Sequence, residues 1–213
     1  MAFYVFQGAQ AIETLETPSK QFKPKWCDAW EVDRINGDAE CCPVCGRFVS
    51  MLEWLPPRKI RLTSSRYPDA LREWLTEPLV VSERFVEAFR AAGLTGIREF
   101  VKIDEVRGPR KTSPLPPNYY CAKVDWTNTV KVDHQKSLIY GRKYEWSCEL
   151  CNPMGSTVNR IDRLALDTTH WNGDDVLNIY EHGLVFSQRF YDFVQQNGFT
   201  NFNLVPVNQY RFR

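Results

Sequence analysis

Two Cys-x-x-Cys pairs, far apart in the chain, constrain this sequence more than any other feature: Cys42-Pro43-Val44-Cys45, followed by Gly46, and Cys148-Glu149-Leu150-Cys151, followed by Asn152. Two thiolates at that spacing lie on one tight turn and can hold the same ion. Four of them meet the tetrahedral, sulfur-favouring preference of Zn²⁺. Glycine, and next to it asparagine, tolerates the positive φ that such a knuckle needs after its second cysteine. The expectation is one structural Zn²⁺ per chain, on Cys42, Cys45, Cys148 and Cys151, tying distant parts of the chain together. With four sulfur ligands no coordination position is left for water, so the ion is expected to be structural and not catalytic.

The competing reading is redox or plain buried thiols. A thioredoxin-type centre places its pair at the mouth of a helix that follows a strand. Neither pair here is followed by a helical apolar period, and the second runs directly into Asn152-Pro153. The chain has seven cysteines, an odd number, and its first residues carry no basic, apolar leader pattern. A disulfide framework is therefore the weaker reading, and a cytoplasmic location is expected. Cys27, Cys41 and Cys121 keep no constant offset and read as core or surface thiols, with Cys41 also able to serve as a substitute ligand.

Periodicity adds a second regularity. Leu79-Val80-Val81 reads as a short strand, Ser82 as the cap of a helix, and Phe85, Phe89 and Ala92 as its apolar stripe, with Gly93 as the stop. Ser82, Arg84, Phe85, Gly93 and Thr95 recur as Ser187, Arg189, Phe190, Gly198 and Thr200 at a constant shift of 105. In the second copy the stripe is Phe190, Phe193 and Val194. Asp69 and Leu79 match Asp174 and Leu184 at the same shift, and the two knuckles are displaced by 106. A shared offset across knuckle, strand, helix and glycine argues for an internal repeat. The expected fold is α+β. Two related halves, each a small, mostly antiparallel sheet plus one main helix, are joined by the shared four-cysteine zinc site. The halves are 1–107 and 119–213, with a Pro-rich linker at 108–118. Phe3-Tyr4-Val5-Phe6 reads as a strand, and residues 48–52 as another that Pro56-Pro57 ends. Trp26 and Trp30 are expected to cover the metal sulfurs.

The knuckle pair and the segment from Leu79 to Gly96, with its second copy, resemble the double-CxxCG motif family of bacterial proteins, a set of paralogues in myxobacteria. Asn152 departs from that pattern, which has Gly there. Some members look like immunity proteins encoded beside polymorphic toxins. The resemblance implies a non-enzymatic immunity protein that binds a cognate toxin domain, encoded by the neighbouring gene, and blocks its active site or target surface.

Other features agree with that class. Twenty-seven Lys and Arg oppose 26 Asp and Glu, so no overall field selects nucleic acid or an anionic membrane. No apolar run approaches the roughly 20 residues that cross a bilayer. No catalytic motif is recognised, and His134, His170 and His182 are scattered, His182 being expected exposed in a turn. Toxin-contacting residues are not identifiable from sequence. Tyr67, Trp74, Trp126 and Tyr140, in the loops at 60–74 and 123–144, are the aromatic candidates, and core packing explains them equally well. The alternative from another class is a zinc-ribbon nucleic-acid binder or regulator. Its usual closely spaced pairs and basic excess are not seen here; Arg107, Arg110 and Lys111 form a basic cluster at the linker, where three charges are simply solvated.

Overall fold

Alternation of apolar residues sets the architecture. In Phe3-Tyr4-Val5-Phe6 all four side chains are buried, so this short strand must be covered on both faces. A computed structural model describes residues 2–6, 30–46, 48, 52–62, 67–71, 79–108, 115–143, 148, 156–179 and 182–212. In chain order the strands are β1 (Phe3–Phe6), β2 (Trp30–Asn36), β3 (Trp54–Leu62), β4 (Ala70–Leu71) and β5 (Leu79–Ser82), followed by helix α1 (Glu83–Ala91). Then come β6 (Glu99–Lys102), β7 (Glu105–Arg107), β8 (Tyr119–Lys123), β9 (Trp126–Thr127), β10 (Lys131–Val132), β11 (Leu138–Lys143) and β12 (Ser156–Arg163). Finally come β13 (Leu166–Asp167), β14 (Val176–Ile179), β15 (Gly183–Ser187), helix α2 (Gln188–Gln196) and β16 (Leu204–Pro206). The fold is mixed α+β, mostly sheet, with two helices among the described residues.

Two sheets flank the helices. One has the order β4-β5-β8-β6 and the other β16-β1-β15-β14-β9. Side chains alternate between their two faces. Leu79, Val81 and Ala122 turn inward to a core shared with Phe85, Val86 and Phe89 of α1. Tyr4, Phe6, Leu184 and Phe186 enter the same core from the second sheet, with Phe190, Phe193 and Val194 of α2. Phe85, fully buried, lies at the centre, with ring centroids 5.2–6.1 Å from Phe89, Phe190, Phe193, Phe199 and Phe202. The opposite faces are covered too. Val80, Tyr119 and Cys121 pack on Trp54, Ile60 and Leu62 of β3. Phe3, Val5 and Val185 pack on Val130, Val132, Ile161 and Leu164. The result is a layered body with the helices in the middle and the β2–β3 and β11–β12 hairpins packed on different core clusters.

Each flanking sheet has an inner strand from outside its own strand–helix–strand run: β1, from the start of the chain, in one, and β8, from beyond the 108–118 stretch, in the other. β1 lies between β15 and β16, antiparallel to both, with Tyr4 opposite Phe186 and Pro206. β8 lies between β5 and β6, also antiparallel, with Tyr120 opposite Val81 and Lys102. The side chains repeat the equivalence. The Tyr4 hydroxyl donates to Gln188 and that of Tyr120 to Glu83, each partner being the first residue of a helix.

Both helices begin as the sequence indicates. The hydroxyls of Ser82 and Ser187 accept the N–H of Phe85 and Phe190, and Gly93 and Gly198 adopt φ of 61° and 59° just after the helices end. The α1 stripe differs at one place. Val86 is buried alongside Phe85 and Phe89, while Ala92 is the exposed C-cap, because a nine-residue helix ends before that position can turn inward.

Beneath each cap lies a buried aspartate. Asp69 accepts from the Ser82 hydroxyl at 2.8 Å and from Arg84 Nη2 at 2.6 Å, and the backbone N–H of Thr200 closes the set at 2.9 Å. Asp175 accepts from Ser187 at 2.7 Å, Arg189 at 3.1 Å and the backbone N–H of Thr95 at 3.1 Å. The two arginines then reach across to the ends of the opposite helices: Arg84 donates to the Asn197 carbonyl, Arg189 to those of Ala92 and Gly93. The partner of Asp69 is thus Asp175, not Asp174, which sits in a surface turn where its carbonyl accepts the Trp171 indole N–H. One residue fewer separates the second aspartate from its serine, so a constant shift of 105 lands on the neighbour.

Two further expectations change. Pro56-Pro57 does not end a strand, because β3 runs through both prolines. They fall where the β2–β3 register shifts between Asp33 and Ile35, and proline's missing N–H is tolerated at such an irregularity. Of the strand expected at 48–52, residues 49–51 lie outside the described residues, and Phe48 makes an isolated bridge to Cys41. His182 is buried, at 8% exposure, with its ring 4.8 Å from that of Tyr210. The C-terminal segment folds over this turn, which the local sequence around His182 does not encode.

Candidate metal centre

The first knuckle forms at the tip of the β2–β3 hairpin. Gly46 takes φ of 72°, and its N–H donates to the Cys42 carbonyl at 2.8 Å, closing a turn that brings Cys45 back beside Cys42. An added Cβ at Gly46 would meet nothing within 4 Å, so backbone conformation and not crowding asks for glycine there. The antiparallel bridge between Cys41 and Phe48 closes the base of the turn. Cys148 lies in the corresponding place, between β11 and β12, whose antiparallel ladder runs out to Lys143 opposite Ser156.

The two hairpins pack on different core clusters, and their tips meet. The Sγ atoms of Cys42, Cys45 and Cys148 all lie within 4.8 Å of one another. Cys42 and Cys148 are 2% and 4% exposed and form a small buried cluster, with 3.7 Å between their sulfurs. A disulfide would need about 2.05 Å. Sulfurs sharing a tetrahedral zinc at about 2.3 Å stand about 3.8 Å apart. The observed spacing fits ligands of one ion, and the donor set of soft sulfurs suits zinc. No disulfide joins Cys42 to Cys148, and the three clustered sulfurs keep the spacing of ligands.

Three of the four expected ligands are therefore brought to one place. Cys151 lies outside the described residues, as do Cys27, Trp26, Asn152 and the side chain of Trp30. Cys41 is exposed; its thiol donates to the Ala39 carbonyl at 3.6 Å, and it is not a member of the cluster. Cys121 is a core thiol facing β3, which accounts for it without chemistry.

The aromatic candidates for partner contact separate by exposure. Tyr67 packs against the core under β3. Trp126 is half-buried in β9, and Trp74 lies outside the described residues. Tyr140 is 48% exposed, with the Arg160 guanidinium 4.9 Å from its ring centroid. Sequence inspection also missed a cleft of about 220 Å³ between the first knuckle and β6–β8, lined by Asp38, Glu53, Trp54, Arg58, Arg98 and Lys123 among others. Its charges answer one another, since Arg98 pairs with Asp125 at 2.6 Å and Lys123 with Glu53 at 3.1 Å. No described helix is long and apolar enough to cross a membrane. Compared with known proteins, the chain matches no family model and no curated relative.

Proposed function

We propose that the chain consists of two related halves stapled by one structural Zn²⁺ on Cys42, Cys45, Cys148 and Cys151, and that it is a cytoplasmic immunity protein. It neutralises a cognate toxin domain, the product of the neighbouring gene, by binding over that domain's active site or target surface. The observation that carries the reading is the convergence of Cys42, Cys45 and Cys148 within 4.8 Å, from two hairpins more than a hundred residues apart. Cys148 brings the second knuckle of the double-CxxCG pattern to the first, and Cys151 would complete the set. The ion would supply a cross-link between two outer layers and nothing to a reaction, since a full thiolate set leaves no position for substrate.

Binding accounts for the remaining chemistry of the reading. A standard inhibitory interface buries roughly 1,600 Å² in total and draws most of its affinity from a few aromatic and arginine anchors. Tyr140, exposed and stacked by Arg160, has that character. The test is co-expression with the neighbouring reading frame, scoring survival of the host and co-purification of the two products. Protection together with a stable complex is expected. Protection without a complex would contradict sequestration, and the absence of both would contradict the immunity reading itself.

A further inference from the structure

The contacts between the two ends of this chain are reciprocal, and that has a consequence for a second copy of the molecule. Divide the chain into residues up to Arg107 and residues from Tyr119 onward. The first segment alone lacks β8, an inner strand of its sheet, and the second lacks β1. Asp69 lacks its Thr200 donors and Asp175 its Thr95 donor. Arg84 and Arg189 lose the carbonyls of Asn197 and Ala92. Phe85 loses the rings of Phe190, Phe193, Phe199 and Phe202, and Cys42 loses Cys148. Each segment would leave apolar faces uncovered and a carboxylate short of part of its donors, and only the other segment has the complementary parts.

The covalent connection between them is the stretch from Gly108 to Asn118, where Leu115 is 87% exposed. We infer that a second copy of the chain is a partner for this interface. The first segment of one copy closes onto the second segment of the other, and the converse pair closes likewise, giving a dimer of two lobes. Every contact described above recurs in each lobe, so the two forms differ mainly in the tether. Being in one chain gives the two segments a high effective concentration for each other, which favours closure within one copy when protein is dilute. Exchange therefore rises with protein concentration. It is also slow, because interconversion must open the shared aromatic core. The inference does not depend on what the protein binds.

The experiment uses the full chain with a protease site placed within residues 109–114. One copy carries a tag before residue 1, and a second carries a different tag after residue 213. They are co-expressed, and protein bearing both tags is selected and sized. The expected product is a doubly tagged species of twice the single-chain 24.9 kDa. Cutting the connection should halve its mass while both tags stay together, because the tagged segments occupy one lobe. A form lacking residues 109–114 is compared with the full chain, since a tether too short for closure within one copy favours exchange. A doubly tagged species that keeps twice the mass after cutting would show ordinary face-to-face association and overturn the inference. So would tags that separate, or the absence of a doubly tagged species in both the full-length and shortened forms.

Discussion

The backbone N–H of Thr200 donates to the carboxylate of Asp69 at 2.9 Å, across 131 positions of sequence. Asp69 is 6% exposed, and the same carboxylate holds the hydroxyl of the α1 cap and the Arg84 guanidinium. A helix start in one part of the chain is thereby fixed to the turn that follows the helix in the other. Asp175 and Thr95 make the converse link at 3.1 Å.

Asp69→Asn removes the charge from this buried junction and leaves its donors poorly matched. A loss of roughly 2–4 kcal/mol is expected, with Arg84 half in water and so able to recover part of its solvation. Asp175→Asn should cost a similar amount, whereas Asp174→Asn, half-buried at the surface and outside that junction, should stay within about 0.5 kcal/mol of the parent. Urea unfolding of the three variants measures the order directly.

The same junction gives a pH dependence. Burial pushes the Asp69 carboxyl up, but hydrogen bonds from Arg84, the Thr200 backbone and Ser82 outweigh it and hold the group below the ordinary aspartate value. A carboxylate with a depressed folded value binds fewer protons folded than unfolded, so stability rises with pH across that interval. The contribution is full above the unfolded value of about 3.9 and is lost as pH falls through the folded one. Unfolding free energy followed from pH 6 down to pH 2 should fall less steeply in Asp69→Asn than in the parent.

Gly96 packs against the neighbouring strand so closely that an added Cβ would lie 1.9 Å from the Val176 carbonyl oxygen, and its φ is 95°. Gly173 has the same φ with nothing within 4 Å. Gly173→Ala should therefore cost only the conformational term, about 1–2 kcal/mol. Gly96→Ala must in addition displace a strand of the second sheet and should cost clearly more, measured as the difference in melting temperature between the two variants.

How much of this was legible in the sequence depended on whether a residue's role was local. Ser82, Ser187, Gly93 and Gly198 act within one turn, and their positions read correctly. Cys42, Cys45 and Cys148 lie together as the two pairs suggest, because the spacing that lets thiols converge is carried by the pair itself. The placement of β1 and β8 was not legible. Phe3-Tyr4-Val5-Phe6 and Tyr119-Tyr120-Cys121-Ala122 are both short apolar runs, and an apolar run says that it is buried without saying beside which strand. Their equivalence does not follow the shift of 105, since the intervening chain differs in length. Asp175 was hidden by its neighbour Asp174 for the same reason. His182 is buried by a segment some thirty residues further on, and β3 accommodates Pro56 and Pro57 at a register break that only its partner strand reveals.

The cysteine cluster can be probed by substitution. Cys42→Ser and Cys148→Ser should each lower the melting temperature and the bound metal, because ion binding and folding are linked. Cys41→Ser, outside the cluster, should leave metal content unchanged. Chelator treatment should destabilise the parent protein and have little further effect on Cys148→Ser.

Metal analysis joined to X-ray absorption at the zinc edge, on protein purified without chelator, tests the central claim most directly. The account predicts about one zinc per chain with an all-sulfur shell at about 2.3 Å. No bound metal, a shell containing nitrogen or oxygen, or a disulfide joining Cys42 to Cys45 or Cys148 would contradict it.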